Sequence, residues 1–339
     1  MKAHNKLTLV VALVLVLLSS CRPKAEQADY SRNSGKVYGT FYSIVYQHPE
    51  GKDLQTEIDA RFAEFDLSMS TFNPNSVITR INTNDAEVRA DDYFKAMYRQ
   101  AVEVSEITNG AFDITVAPLV NAWGFGFGKQ QRDSTPDIAA LLKITGFRKI
   151  KLENDRLIKS DQAMMLDASA IAKGQASDVI GQLLEAHGCR NYMVEIGGEV
   201  ACKGVNPKGE KWRIGIDKPV DDPANETPEL QTIVAISGVG LATSGNYRQF
   251  YYREGKKYAH TIDPRSGYPV NHQLLSATVI ASTCMKADAY ATAFMVLGKD
   301  SALTICRKFD DMDCYLIYTD ADGKLQEAYT EGFRNYIAE

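Results

Sequence analysis

Asp288 and Thr292 lie four positions apart in a segment whose apolar pattern predicts a helix over residues 286–297. Residues at i and i+4 project from the same helical face, so a carboxylate and a hydroxyl would stand side by side. Such oxygen donors suit Mg²⁺, a hard cation that retains part of its water shell. A structural interpretation stays open: Asp288 could cap the helix, and Thr292 could bond to its own helix.

A second candidate site is the run Leu-Asp-Ala-Ser-Ala-Ile-Ala-Lys-Gly at residues 166–174. Small residues that lead into a helix allow a ligand to approach the backbone, and the free N–H groups of a helix N-terminus attract anions. Lys173 adds a positive charge in the first turn, where the helix dipole opposes it. The residue types therefore favour anion binding, with tight helix–sheet packing as the alternative.

Three further polar segments occur at the ends of predicted elements. Gly197-Gly198 follows a predicted strand and permits positive φ or contact with phosphate, although a simple turn also explains the pair. Residues 242–247 are predicted to form a turn that offers the hydroxyls of Thr243 and Ser244. His260 precedes an Asp-Pro turn and could act as a base or a ligand, but a single histidine is also a common structural residue.

These segments need a framework of helices and strands to position them. Apolar residues at helical spacing predict helices over 53–65, 91–107, 170–187 and 286–297. Period-two patterns predict strands over 37–46, 192–196, 212–216, 232–236, 249–253, 257–262, 275–281, 314–319 and 325–329. Turns at Glu254-Gly255 and Asp322-Gly323 predict hairpins. Hairpins and separate helices predict an α+β protein rather than alternating βαβ units.

Composition limits the class of protein. The chain has 339 residues, a net charge of -5 and 45% hydrophobic residues, which is typical of a globular protein. Mild acidity argues against a general nucleic-acid binder. The cysteines form no C-x-x-C pair, so no thiolate metal site is expected, and small buried thiols are predicted. A bridge between Cys306 and Cys314 stays open.

The N-terminus predicts export. Basic residues precede an apolar run over 7–18, which is shorter than the about 20 residues of a membrane-spanning helix. The run ends Leu-Ser-Ser-Cys, a bacterial lipobox, which predicts a signal peptide over 1–20 and lipidation (palmitate) of Cys21. Polar residues 21–34 predict a flexible tether, followed by a folded domain over 35–337. We expect a lipid-anchored protein of the bacterial cell envelope that faces the periplasm or the exterior; an ordinary signal and a buried helix are the alternatives.

Together these motifs resemble the ApbE family of FAD:protein FMN transferases over about residues 37–298. The motifs occur in family order: Tyr38-Gly39-Thr40, Ser70-Thr71-Phe72, residues 112–119 and 123–126, and then the segments described above, ending at 283–289. The chain departs from the family pattern at Tyr38, which replaces Met, at Ser169 and Ala170, where Gly is common, and at Lys286, which replaces Glu.

The resemblance implies an α+β, T-fold-related architecture with mixed or antiparallel sheets flanked by helices and an FAD cleft between two lobes. It implies Mg²⁺ bound by the Asp288 and Thr292 side chains and the Ala170 carbonyl. The implied FAD contacts are Tyr38, Phe72, Ala122, Trp123, Gly124, Asp167, Lys173, Thr243, Ser244, His260 and Ile262.

The resemblance also implies a reaction. A Thr or Ser hydroxyl of an acceptor protein attacks the FMN phosphorus of FAD, AMP leaves, and FMN stays attached through a phosphoester. His260 is the candidate general base, because an imidazole pKa near 6.5 suits proton transfer at neutral pH, and Asp263 would orient His260 or the acceptor. The implied acceptors are flavin subunits of membrane redox complexes such as sodium-pumping NADH:quinone oxidoreductases. An FAD pyrophosphatase and a non-catalytic flavin-binding lipoprotein are the alternatives.

Overall fold

A computed structural model describes residues 29–126, 136–219, 229–246 and 250–338. Its strands are β1 Ser31–Val37, β2 Thr40–Tyr46, β3 Ile150–Glu153, β4 Arg156–Lys159, β5 Tyr192–Ile196, β6 Glu199–Lys203, β7 Trp212–Asp217, β8 Leu230–Ile236, β9 Val239–Gly245, β10 Phe250–Arg253, β11 Lys256–Ala259, β12 Leu274–Ala281, β13 Met312–Thr319 and β14 Leu325–Tyr329. Eight of them form one sheet in the order β1-β2-β5-β6-β9-β12-β13-β14. Each neighbouring pair is antiparallel. The strand pairs β3-β4, β7-β8 and β10-β11 form separate hairpins.

The helices cover mainly one face of this sheet. They are α1 Gln55–Met69, α2 Val77–Asn82, α3 Asp92–Ile107, α4 Ala117–Ala122, α5 Ile138–Lys143, α6 Ala172–Ala186, α7 Cys284–Leu297 and α8 Lys299–Cys306. Because side chains alternate along a strand, Ile44 and Tyr46 of β2 pack into the core shared with the helices. Val45 belongs to a second core, which includes Trp212 of β7 and Phe333. The sheet therefore lies between the helices and the β7-β8 hairpin.

Local sequence signals explain where the main helices begin and end. Asp91 caps α3 by accepting a hydrogen bond from the backbone N–H of Phe94, and Thr283 caps α7 in the same way through Lys286. Side-chain oxygens at these positions satisfy N–H groups that a helix leaves unpaired. Gly298 ends α7 with φ 78°, a conformation that glycine adopts without strain. The α+β class predicted from the sequence is confirmed.

The structure corrects several boundaries. The residue types predict a turn over residues 242–247, but Thr243 and Ser244 lie within β9, where they pair with β12. The predicted tether over 21–34 overlaps β1, which begins at Ser31 and pairs with β2, so ordered structure starts before the predicted boundary at residue 35. The strand predicted over 257–262 ends at Ala259. Residues 1–28, with the predicted signal peptide and Cys21, lie outside the described residues.

The described cysteines are buried free thiols: Cys189, Cys202, Cys284, Cys306 and Cys314. The Cys306 thiol donates to the Met312 carbonyl, at 3.5 Å. These thiols match the prediction of small buried residues, and the bridge left open between Cys306 and Cys314 is absent from the described structure. Within the described ranges, no helix combines the length and the apolar character that a membrane span requires.

Candidate active site

One cavity of about 520 Å³ opens where α6, α7, β9 and the turn between β5 and β6 meet the segments that follow α3 and β11. It brings together residues that are far apart in the sequence. The predicted site residues that line it are Phe72, Asp167, Ala170, Lys173, Thr243, Ser244, His260, Ile262, Asp288 and Thr292. The sequence segments singled out for their chemistry therefore converge on one place.

The contact between α6 and α7 positions Asp288. The backbone N–H of Gly174 donates to Asp288 Oδ2 at 2.9 Å. Asp288 is only 3% exposed, and burial raises the pKa of its carboxyl, with Lys173 acting in the opposite direction. The capping interpretation of Asp288 is wrong, because Thr283 is the N-cap and Asp288 lies inside α7.

Hydroxyl groups line the sheet side of the cavity. The Thr292 hydroxyl lies 3.1 Å from the Ser244 hydroxyl, and the Thr243 hydroxyl lies 2.8 Å from that of Thr278 on β12. Residues 243 and 244 project from β9, whereas Thr292 lies one turn beyond Asp288 on α7. A strand rather than a turn therefore fixes the two hydroxyls that the sequence predicted for this site.

Lys173 forms an ion pair that its sequence neighbourhood does not indicate. Its Nζ lies 2.6 Å from Glu199 Oε1, and the Glu199 side chain is only 6% exposed. Burial lowers the pKa of Lys173, but the carboxylates of Asp288 and Glu199 outweigh this effect and raise it overall. Burial raises the pKa of Glu199 to about 7, although Lys173 lowers it. The sequence feature that could have identified Glu199 is its position directly after the Gly197-Gly198 turn. This turn places the first residue of β6 at the cavity.

That glycine turn has the backbone predicted for it. Gly197 and Gly198 have φ values of 64° and 102°. A Cβ on Gly197 would lie 2.9 Å from the Thr40 side chain and 3.3 Å from Lys173 Cδ. Only glycine therefore lets the turn pass under the Lys173 side chain.

The residues that follow β11 form the opposite wall. His260 lies beside the Phe125 ring, at a centroid distance of 6.4 Å, and Ile262 is buried against Leu119 and Trp123. The Asp263 carboxylate holds Arg265, with Oδ1 accepting from Nε at 2.9 Å and Oδ2 from Nη2 at 2.8 Å. Asp263 thus shapes the turn through Arg265, and its predicted action on His260 or the acceptor stays a prediction.

Several predicted contact residues lie behind the wall rather than on it. Trp123 is 2% exposed, donates from Nε1 to the Gly267 carbonyl at 2.8 Å and stacks on Tyr258. The Tyr38 hydroxyl donates to the Phe62 carbonyl at 2.8 Å. The described cavity lining does not include Tyr38, Ala122, Trp123, Gly124 or Asp263. Phe72 stands at the rim with 81% of its surface exposed.

The donor set fits a hard cation. Asp288 supplies a buried carboxylate and Thr292 a hydroxyl, and Ala170 is the third predicted ligand on the cavity wall. All three groups offer oxygen, the donor that Mg²⁺ prefers. Within the described ranges, no three His, Cys, Asp or Glu residues cluster closely enough to hold a metal ion. The predicted set does not need such a cluster, because it contains one carboxylate.

An antiparallel sheet with helices on one face, together with a cavity that joins oxygen donors, a lysine and a histidine, defines an α+β enzyme that acts on an anionic ligand. Sequence comparison agrees with this class of protein and identifies the family. The chain belongs to the ApbE family, whose model matches residues 38–316.

Relatives and solved structures resemble the chain over nearly their full length. The FAD:protein FMN transferase of Vibrio cholerae is 36% identical over 97% of this chain and 98% of that protein. The Escherichia coli K12 protein of the same name is 34% identical over 88% and 87%. The solved flavin transferase ApbE from Vibrio cholerae has a TM-score of 0.81 at 35% identity, over 91% of this chain and 99% of that one. The apo flavinyl transferase ApbE of Pseudomonas stutzeri has a TM-score of 0.79 at 31% identity, over 92% and 98%.

Proposed function

We propose that this protein is a magnesium-dependent FAD:protein FMN transferase. The observation that carries the proposal is the convergence of Asp288, Thr292, Lys173 and His260 on one cavity. Such a cavity can hold a pyrophosphate, a cation and a base together. The names of the relatives, FAD:protein FMN transferase, support the choice of substrate and product.

The proposed reaction transfers the FMN group of FAD to an acceptor protein. The hydroxyl oxygen of an acceptor Thr or Ser forms a bond to the FMN phosphorus, and the bond from that phosphorus to the bridging oxygen breaks. AMP leaves with the bridging oxygen. His260 takes the proton of the attacking hydroxyl, and Lys173 faces the charge of the pyrophosphate.

Asp288, Thr292 and the Ala170 carbonyl would hold Mg²⁺, which neutralises charge on the phosphates when it is bound. Ser244 on β9 offers a hydrogen bond to a phosphate oxygen beside Thr292, whereas the hydroxyl of Thr243 bonds to Thr278 on the opposite face of the strand. Asp167 fixes the entry to α6, because its Oδ1 accepts from the Ser169 N–H at 2.8 Å. Phe72 at the rim offers an exposed ring on which a flavin or adenine could stack.

The test is incubation of the protein with FAD, Mg²⁺ and an acceptor fragment, read by intact mass. We expect the acceptor to gain one FMN and Asp288→Ala to abolish the gain. Asp300→Ala is the matched control, because that side chain is 88% exposed on α8 and should behave like wild type. Absence of FMN on the acceptor, with Asp288→Ala equal to wild type, overturns the proposal.

Two other outcomes identify the alternatives. Release of free FMN and AMP at the same rate with and without acceptor indicates an FAD pyrophosphatase, in which water replaces the hydroxyl. FAD that stays intact and tightly bound in the presence of Mg²⁺ indicates a flavin-binding protein. The buried Asp288 carboxylate favours catalysis over storage, since flavin storage does not need a metal ligand.

The predicted location in the cell envelope is consistent with the proposed acceptors. A lipid on Cys21 would hold the enzyme at a membrane of the cell envelope, close to flavin subunits of complexes of the sodium-pumping NADH:quinone oxidoreductase type. Tethering raises the effective concentration of such a pair. Mass analysis of the N-terminal peptide tests the anchor: a diacylated Cys21 is expected in the wild type, and Cys21→Ser should move the protein to the soluble envelope fraction.

A further inference from the structure

The two carboxylate oxygens of Glu199 have different surroundings. Oε1 holds Lys173 Nζ at 2.6 Å. Oε2 is buried and has no hydrogen-bond partner among the residues that the structure describes. Glu199 is 4% exposed and lines the cavity. A buried carboxylate oxygen without a donor costs free energy, so this atom marks a place where a ligand supplies one.

The surroundings fix Glu199 in place. Its carbonyl accepts a hydrogen bond from the Ser177 hydroxyl at 3.1 Å, one turn beyond Lys173 on α6. The preceding Gly197-Gly198 turn sets the direction in which β6 enters. Ser177 therefore holds the backbone of Glu199 and Lys173 holds its side chain, from neighbouring turns of α6. These contacts fix the position of Oε2 before a ligand binds.

The neighbouring charges identify the kind of donor. Asp288 lies close enough to act electrostatically on Glu199. Among the described residues, the buried carboxylates of Asp288 and Glu199 share Lys173 as their cation, so a further positively charged group, or a group bound to one, would balance their charge. In the ionised form of Glu199, Oε2 and a phosphate oxygen both only accept hydrogen bonds, so the ionised carboxylate needs a donor other than phosphate. Mg²⁺ keeps several of its water molecules when proteins bind it, and those waters donate.

We infer that Glu199 is an outer-sphere ligand of the magnesium site, with Oε2 accepting a hydrogen bond from a water molecule on the ion. The inference rests on the proposed function, which supplies the magnesium site. Groups that orient metal ligands from a second layer commonly change metal affinity 10- to 100-fold when they are removed. Glu199 is thus a positioning residue for the cation, besides its contact with Lys173.

The test measures Mn²⁺ affinity of the full chain by electron paramagnetic resonance at saturating FAD, and FAD affinity without metal by flavin fluorescence. Glu199→Gln should weaken Mn²⁺ binding about 10-fold or more and leave metal-free FAD affinity within twofold. Lys173→Met is the matched control for the ion pair. It should weaken FAD binding and leave Mn²⁺ affinity unreduced, because it removes a positive charge near the cation.

Turnover gives a second readout. High Mg²⁺ should restore kcat of Glu199→Gln and should not restore that of Lys173→Met. Wild-type Mn²⁺ affinity in Glu199→Gln overturns the inference. An equal loss of Mn²⁺ affinity in Lys173→Met also overturns it, because Glu199 would then act only through the lysine. Wild-type Mn²⁺ affinity in Asp288→Ala would instead show that the proposed metal site itself is wrong, and Glu199's assignment with it.

Discussion

The backbone nitrogen of Gly174 lies 2.9 Å from Oδ2 of Asp288, and this hydrogen bond joins the first turn of α6 to the second turn of α7. The approach is so close that a Cβ on Gly174 would lie 2.4 Å from the Cys284 carbonyl oxygen and 2.7 Å from Asp288 Cβ. Because backbone atoms and a short side chain form this contact, moving either partner would cost free energy. The geometry of the proposed cation site therefore depends on the absence of one methyl group.

Gly174→Ala should damage both stability and metal binding. Alanine favours a helix over glycine by about 1 kcal/mol, but overpacking of a close contact costs typically about 1–3 kcal/mol, and here backbone must shift. We expect a lower free energy of unfolding and a loss of Mn²⁺ affinity. Denaturant unfolding and the metal titration measure the two effects.

The control for this substitution lies on the same helix. Gln182 is exposed on α6, and Gln182→Ala should change the free energy of unfolding by less than about 0.5 kcal/mol. If Gly174→Ala were as stable as wild type and bound Mn²⁺ normally, the close contact between α6 and α7 would not control the site.

Thr292 should contribute its hydroxyl rather than its shape. Thr292→Val keeps the volume and removes the oxygen that lies 3.1 Å from the Ser244 hydroxyl. We therefore expect a higher half-saturating Mg²⁺ concentration and slower FMN transfer, by about 10-fold or more. Thr292→Ser keeps the hydroxyl and should retain most of the activity. The measurement is the Mg²⁺ concentration dependence of acceptor flavinylation. Equal activity of the Val and Ser variants would remove Thr292 from the ligand set.

The sequence predicted the residues that carry the chemistry of the site better than the elements and partners that position them. The spacing of Asp288 and Thr292 is a property of one helix, so it could be read from the sequence. Glu199 could not be assigned in this way, because its partner Lys173 is distant in the chain and only the β5-β6 turn brings them together. The strand position of Ser244 was missed for the same reason: small polar residues indicate a turn locally, whereas pairing with β12 makes a strand.

The Tyr46 hydroxyl should contribute more to the free energy of unfolding than the Tyr42 hydroxyl. The Tyr46 hydroxyl accepts from the Leu54 N–H at 2.6 Å in a fully buried position, so Tyr46→Phe leaves a buried donor unpaired and should cost about 1–3 kcal/mol. The Tyr42 hydroxyl accepts from Gln55 Nε2 at 3.0 Å, in a part-buried position where water can replace it. Tyr42→Phe should cost less than half as much in denaturant unfolding, and the reverse order would contradict the assigned contacts.

Asp178 tests how burial and hydrogen bonding compete at a helix N-terminus. Its carboxylate accepts from the N–H groups of Cys284 and Met285 at 2.9 and 2.8 Å. These bonds lower its pKa, but burial acts more strongly and raises it to about 6. The folded state therefore binds a proton more tightly than the unfolded chain, where an aspartate titrates near 3.9.

The sign of the pH effect follows from this difference. A raised carboxyl pKa contributes stability that is present below about pH 4 and is lost as the pH rises through about 6, because the folded state must then release a proton that it binds tightly. Asp178→Asn cannot ionise. The free energy of unfolding of the wild type minus that of Asp178→Asn should therefore fall between pH 4 and pH 7, as measured by urea unfolding at intermediate steps. A difference that grows with pH would mean that the two N–H groups of α7 outweigh burial and stabilise the ionised carboxylate.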